Sequence, residues 1–153
     1  MTNKILLAID PGASKPHAYA LFKDEKLVDY GLIRNCEELN YLVMTRQPEM
    51  AVIEDQHIAK NMRAGLKLAQ AAGGLAELLK YMDVRVRLIP AREWTKAFMR
   101  WRKGWPPRKA YLPAVVKITQ LSEDINLEKY TKAQTEDICC AVQIGRYWLR
   151  RAD

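Results

Sequence analysis

The stretch that most constrains the fold is Lys4-Ile5-Leu6-Leu7-Ala8-Ile9-Asp10-Pro11-Gly12. Residues 4–9 form a continuous apolar run, which predicts a strand buried on both faces. The run ends on one carboxylate and then turns. An acid at the end of a buried strand is costly unless something nearby uses its charge. Gly12 permits a tight turn with backbone close to whatever Asp10 holds.

The rest of the chain extends this strand into an α/β domain. His17 to Phe22 and Leu27 to Ile33 read as two further strands around a polar hairpin turn, Lys23-Asp24-Glu25-Lys26, so the first three strands predict an antiparallel meander. Asn35 is an N-cap, with Glu37 and Glu38 in the first turn of a helix that runs to about Arg46. Met50 to Ile53 is a short buried strand, and it too ends on acids, Glu54-Asp55. One long helix is predicted from Asn61 to Tyr81, with Leu68, Ala72, Leu75 and Leu79 on one stripe and Met62, Leu66, Ala69, Gly73, Ala76 and Lys80 on another. The small residues Ala71 to Gly74 predict a close approach by another helix or by the sheet. Val84 to Ile89 is a fifth strand. Arg92 to Phe98 is a short helix, Gly104-Trp105-Pro106-Pro107 a break, 107–121 a further helix, and a last helix begins near 132–135 and runs to about Arg150. The order β-β-β-α-β-α-β-α-α-α predicts one domain over residues 1–153, with a mixed five-stranded sheet, antiparallel first and parallel later.

Bulk composition agrees with this reading. The 153 residues are 49% hydrophobic and 28% charged, the balance of a soluble globular chain. No apolar run approaches the ~20 residues of a membrane helix, and no signal-peptide pattern precedes the first strand, so a cytoplasmic protein is expected. Cys36, Cys139 and Cys140 have no metal-ligand spacing, and the adjacent pair reads as small hydrophobes in a reducing compartment. The net charge of +7 points to a polyanionic partner. The charge is concentrated: Arg85, Arg87, Arg92, Lys96, Arg100, Arg102, Lys103, Arg108 and Lys109 share a window with one acid, Glu93, and with Trp94, Phe98, Trp101 and Trp105.

A third acid stands like Asp10 and Glu54. Asp137 is followed by Ala141, Ile144 and Trp148 at four, seven and eleven residues, so it heads an apolar stripe on the last helix. Glu136 aligns instead with Cys140, Gln143 and Tyr147, a more polar line, so Asp137 is the acid expected to point inward. Asp10 and Glu54 can lie at adjacent strand ends, with the last helix across them. Three carboxylates within a few ångströms repel unless cations neutralise them. Oxygen-only ligands select Mg²⁺ or Mn²⁺. Two such ions ~4 Å apart activate a water and stabilise the leaving oxygen in phosphodiester hydrolysis. Each acid taken alone has an ordinary reading: Asp-Pro-Gly as a turn, Glu54 as a loop residue, and an acid in a first helical turn as a dipole partner.

The chain resembles RuvC-type Holliday junction resolvases of the ribonuclease H-like superfamily. Three blocks carry the resemblance: Ile9-Asp10-Pro11-Gly12; Ala51-Val52-Ile53-Glu54 with Ala59-Lys60-Asn61, Leu66-Lys67-Leu68-Ala69-Gln70-Ala71 and Gly73; and Ala133-Gln134-Thr135-Glu136-Asp137 with Ala141. The resemblance implies that Asp10, Glu54 and Asp137 are catalytic acids holding two Mg²⁺ ions, Asp10 bridging them, Glu54 on one and Asp137 on the other. The family usually places a fourth ligand, Asp or His, three residues before the last Asp. That position is Gln134 here, and Glu136 is the other candidate. Where the family tends to have an aromatic after the second acid, this chain has His57. The resemblance further implies DNA contacts from Lys109, Lys96 and Arg92, and makes the segment from Arg85 to Lys109 a phosphate-binding rim with Arg100, Arg102, Lys103 and Arg108, alongside His57 and Lys60, while Trp101 and Trp105 stack on unpaired bases. Trp94 and Phe98, four residues apart, are expected in the core. A homodimer built partly on the 61–81 helix would cut two opposed strands. The compact end after the last helix, with the altered third motif, is similar to phage or organelle members.

The function expected is thus a Mg²⁺-dependent endonuclease that resolves four-way DNA junctions by paired nicks. Two alternatives stay open: a nuclease that also cuts flaps and forks, and a junction-binding protein without cleavage. A third rival is a phosphotransferase of the actin/hexokinase-like class, which shares an acid-bearing early strand but normally needs two such domains and Gly-rich phosphate loops that this chain lacks.

Overall fold

Alternation along the first strand builds the molecule outward from its centre. The structure, a computed structural model, describes residues 4–55, 62–98 and 108–151, and the side chains of 62–69 and 108–110 are not described. Strand β1 (Ile5–Asp10) pairs antiparallel with β2 (His17–Lys23) on one side and parallel with β4 (Met50–Asp55) on the other. Beyond them lie β3 (Lys26–Ile33), antiparallel to β2, and β5 (Arg85–Pro90), parallel to β4. All five strands form one mixed sheet, as predicted, in the order β3-β2-β1-β4-β5. With a neighbour on each edge, β1 is buried on both faces, and Leu7, Ala8 and Ile9 have no exposed surface.

The two faces carry separate cores. Leu7, Ile9, Leu21, Ile33, Ala51 and Ile53 pack under helices α1 (Cys36–Arg46) and α2 (Met62–Tyr81). Leu6, Ala8, Ala18, Ala20, Phe22 and Val52 point the other way, under α5 (Lys132–Arg151). The remaining helices are α3 (Ala91–Thr95) and α4 (Arg108–Ser122), and α4 lies on α5. Residue parity assigns Asp10 and Glu54 to the α5 face, since Ala8 and Val52 two residues earlier are in that core.

Local signals explain the ends. The Asn35 side chain accepts a hydrogen bond from the Glu38 amide at 2.9 Å, an N-cap as expected. The hairpin between β2 and β3 turns through Asp24 and Glu25 at φ 49° and 70°, the left-handed pair that a two-residue hairpin of this twist requires. The short helix ends at Thr95 rather than Phe98, and residues 96–98 form a turn. The first strand runs Ile5–Asp10, one residue later at each end than the 4–9 run, and so includes Asp10.

Two expectations about helix surfaces need correction. In α2, Ala72, Leu75, Ala76 and Leu79 are buried against the sheet, but Gly73 and Gly74 face outward and a Cβ on either would meet no described atom. The sheet thus explains Ala72 but not the two glycines of the small patch. In α5 the supposedly polar line is interior: Cys140 and Gln143 are buried, because α4 covers that side. The Gln143 amide donates to the Thr119 hydroxyl of α4 at 2.9 Å, which satisfies it there. The cysteines do behave as small hydrophobes: Cys139 and Cys140 are free and buried, and burial pushes the Cys139 thiol up to about 11.

The far end of α5 is tied to the hairpin by Arg146. Its Nε and Nη2 donate to the two carboxylate oxygens of Glu123 at 2.6 and 3.0 Å, its Nη1 donates to the Glu25 carbonyl at 2.6 Å, and its guanidinium lies 5.0 Å from the Phe22 ring centroid. The preceding residue, Gly145, sits directly on Phe22, so a Cβ there would overlap the ring. Among the described residues no helix is long and apolar enough to cross a membrane.

Candidate active site

Strand ends and one helix start converge at a single edge of the sheet. Ile9 is the parallel partner of Ile53, so Asp10 and Glu54 follow as neighbours at the C-terminal ends of adjacent strands. Both face α5, and both are buried, at 4% and 1% exposure. Helix α5 runs across β1 and β4 on that face, and Asp137 is the first buried residue along it, at 6% exposure. Glu136 beside it is only partly buried, so the inward acid is the one the stripe predicts.

Each acid is held by its surroundings. The Glu54 Oε2 accepts a hydrogen bond from the Trp94 indole at 3.2 Å. Trp94 is fully buried and stacks edge-on against Phe98 and Tyr111, with centroid distances of 6.1 and 5.6 Å. Trp94 and Phe98 are thus core residues, as expected, but the sequence did not reveal that Trp94 also orients an acid. Asp137 Oδ2 accepts from the Lys15 ammonium at 2.6 Å. Among the described residues no three His, Cys, Asp or Glu side chains lie within one metal's reach. The three carboxylates share an edge and a face without the tight cluster that the sequence led us to expect.

The turn after Asp10 is pinned by a residue that sequence reasoning had assigned only to a strand. The His17 Nδ1 accepts the Gly12 amide at 2.9 Å, which requires that nitrogen to be unprotonated. A Cβ on Gly12 would lie 2.6 Å from the Lys15 carbonyl and 2.8 Å from that of Pro16, so the loop can fold back this closely only over glycine. Burial lowers the His17 pKa from 6.5. The folded state therefore binds the proton less readily than the unfolded chain. The stabilisation from His17 is fully present above about pH 6.5 and is lost as pH falls through the lower folded value. Melting temperature followed from about pH 7.5 to 5 should fall in the wild type, and the part of that fall that His17→Gln removes is the histidine's share. Equal slopes in the two proteins would exclude His17 as the group responsible.

Gln134 caps the helix that carries Asp137. Its Oε1 accepts from the Thr131 amide at 3.0 Å, and its own amide donates to the Thr131 hydroxyl at 3.2 Å. This reciprocal pair is a capping box: Thr131 is the N-cap of α5 and Gln134 the third helical residue. The amide oxygen that would serve a metal is thus engaged at the helix start. Gln134→Ala should cost about 1 kcal/mol of stability in a denaturant titration. A change confined to metal affinity, with unaltered stability, would contradict the capping role.

The basic residues are only partly placed. Arg92 and Lys96 are exposed, on and just after α3, which also carries Trp94. Arg108 and Lys109 open α4. His57, Lys60, Arg100, Trp101, Arg102, Lys103 and Trp105 lie outside the described residues. At the other end of β5, Arg85 and Arg87 are exposed, and the Trp148 ring stands between Arg87 and Arg151, 6.0 and 5.5 Å from its centroid. Trp148 therefore closes the α5 stripe at a basic surface rather than in the core.

The donor set fits a hard divalent cation in kind, with three buried carboxylates and oxygen donors only, although the three are not gathered around one point. No protein-family model matches the sequence, and no curated protein matches it. Comparison of structures does find matches. The chain is similar to Thermus thermophilus RuvC in complex with a Holliday junction substrate, with a TM-score of 0.63 at 14% identity over 97% of this chain and 96% of that one. It is similar to a second Thermus thermophilus RuvC structure, with a TM-score of 0.60, the same identity and the same coverage. It is also similar to the yeast mitochondrial Holliday junction resolvase Ydc2, with a TM-score of 0.58 at 14% identity over 97% of this chain and 78% of that one. Strand order, helix placement and full-length similarity together establish that this chain has the RuvC-type, ribonuclease H-like fold.

Proposed function

We propose that this protein is a divalent-metal-dependent endonuclease that resolves four-way DNA junctions by paired nicks. The observation that carries the proposal is the burial of Asp10, Glu54 and Asp137 on one face and one edge of a RuvC-type sheet. Buried acids that meet at a strand edge are expensive to keep without a use for their charge. Asp10 and Glu54 come from two paired strands, so their spacing is fixed by the sheet, and Asp137 approaches from α5. Trp94 keeps the Glu54 carboxylate from rotating. These three acids would hold Mg²⁺, or Mn²⁺ in its place. Bound there as a pair, the ions would supply an activated water and charge stabilisation of the departing oxygen.

The exposed cations Arg92 and Lys96 stand near Trp94 and hence on the Glu54 side of the edge, suited to phosphate contacts that set affinity rather than sequence preference. Lys109, Arg108, Lys60, His57, Arg100, Arg102, Lys103, Trp101 and Trp105 complete the proposed DNA surface. Symmetric nicks on opposed strands need two sites, so the working form we propose is a homodimer. The outward Gly73 and Gly74 of α2 offer a surface where a second helix can come close. The setting is the cytoplasm of a bacterial or phage-infected cell.

The decisive test is incubation of the purified protein with a mobile four-way junction under a Mg²⁺ and Mn²⁺ titration, mapping both strands. Paired nicks at symmetric positions are expected, with flaps and forks cut more slowly. No cleavage with either ion removes the enzyme reading. A second reading, junction binding without cleavage, is favoured by one observation: Gln134 is committed to capping α5 at the position where the family usually has a fourth ligand.

A further inference from the structure

Lys15 lies in the loop between β1 and β2, and its ammonium reaches Asp137 across 122 residues of sequence. Its side chain is 51% exposed, whereas that of Asp137 is 9% exposed. A long, solvated side chain has thus been drawn onto a carboxylate that is almost out of water. The loop is built to deliver it. Gly12 packs against the Lys15 backbone, and the Gly12 amide is bonded to His17, so the root of the side chain is fixed while half of the side chain is open to solvent. The loop follows Asp10, so the first acid and the cation that meets the third come from one short segment.

From this geometry we infer that Lys15 is a place-holding cation at the metal site. Resting on the proposed metal role of the three acids, the inference assigns Lys15 to positioning rather than to chemistry. In the metal-free protein the ammonium neutralises Asp137 and keeps it turned toward the loop. A divalent ion must take Asp137 from Lys15 to bind. Ammonium and metal compete because two cations cannot share one buried carboxylate oxygen without strong repulsion. The rotamer freedom of an exposed lysine lets it leave without moving the backbone.

The test is metal binding, read by titration calorimetry with Mn²⁺ in the absence of DNA. Lys15→Met keeps most of the side-chain volume and removes the charge. It should bind Mn²⁺ about fivefold more tightly than wild type, the scale set by loss of one partly exposed ion pair. Lys15→Arg, which restores a cation, should return the affinity toward wild type. Thermal denaturation gives a second readout: Lys15→Met should melt below wild type without metal and gain more from saturating Mn²⁺ than wild type does. Affinity unchanged or weakened in Lys15→Met, with Mn²⁺ still binding wild type, overturns the place-holder while leaving the nuclease reading intact. Absence of Mn²⁺ binding in both proteins overturns the place-holder and the metal site together.

Discussion

Asp10→Asn is expected to bind a four-way junction about as tightly as wild type and to cut it at least about 10³-fold more slowly, a barrier increase of ~4 kcal/mol. The substitution keeps shape and volume, and the residue lies at the end of the central strand, fixed on both sides by β2 and β4. The loss should therefore come from the missing charge rather than from a disturbed fold. Glu54→Gln should behave alike, because the Trp94 indole can still donate to an amide oxygen. The proposed DNA surface uses cations elsewhere, so a gel-shift titration and a single-turnover cleavage assay separate the two effects. Cleavage within about tenfold of wild type in Asp10→Asn would remove this carboxylate from the mechanism.

Arg146→Ala should be the most damaging single change away from the site. Glu123, which Arg146 grips with two hydrogen bonds, has a side chain only 4% exposed, and the same guanidinium caps the hairpin carbonyl of Glu25 and covers Phe22. Removing it strands a buried carboxylate, which costs about 3 kcal/mol or more. Urea denaturation should show the loss as a lower midpoint with a similar slope. The pair variant, Arg146→Met with Glu123→Gln, should recover part of it, since the stranded charge is then gone. A loss below about 1 kcal/mol in the single variant would mean that water reaches Glu123.

The fold was legible where the chain obeys simple periodicities. Leu6 to Ile9 reads as a doubly buried strand, and the repeat of that pattern at Ala51 to Glu54 allows the two acids to lie side by side, as the parallel pairing of the two strands has them. The stripe through Asp137, Ala141 and Ile144 picked the inward acid of an adjacent pair. Three things were not legible. The burial of Cys140 and Gln143 depends on α4 lying over α5, and no pattern within α5 encodes a neighbour. The contacts of Lys15 and His17 arise from a loop folding back on Gly12, and loops carry no period. The task of Gln134 was readable, however, because Thr131-Lys132-Ala133-Gln134 is a capping-box signature. That the acids lie on one edge yet do not form a ready-made cluster was also beyond sequence reasoning, since side-chain partners such as Trp94 and Lys15 decide it.

The bond between Trp94 and Glu54 has a practical consequence. An indole sealed from solvent and hydrogen-bonded to a carboxylate emits light whose colour and yield depend on that partner's charge. The protein therefore carries its own optical gauge beside the acids. Were a cation to draw on Glu54, the hydrogen bond to the indole would change, and the share of the emission that Trp94→Phe removes would record the event in a chain that bears no dye and no label.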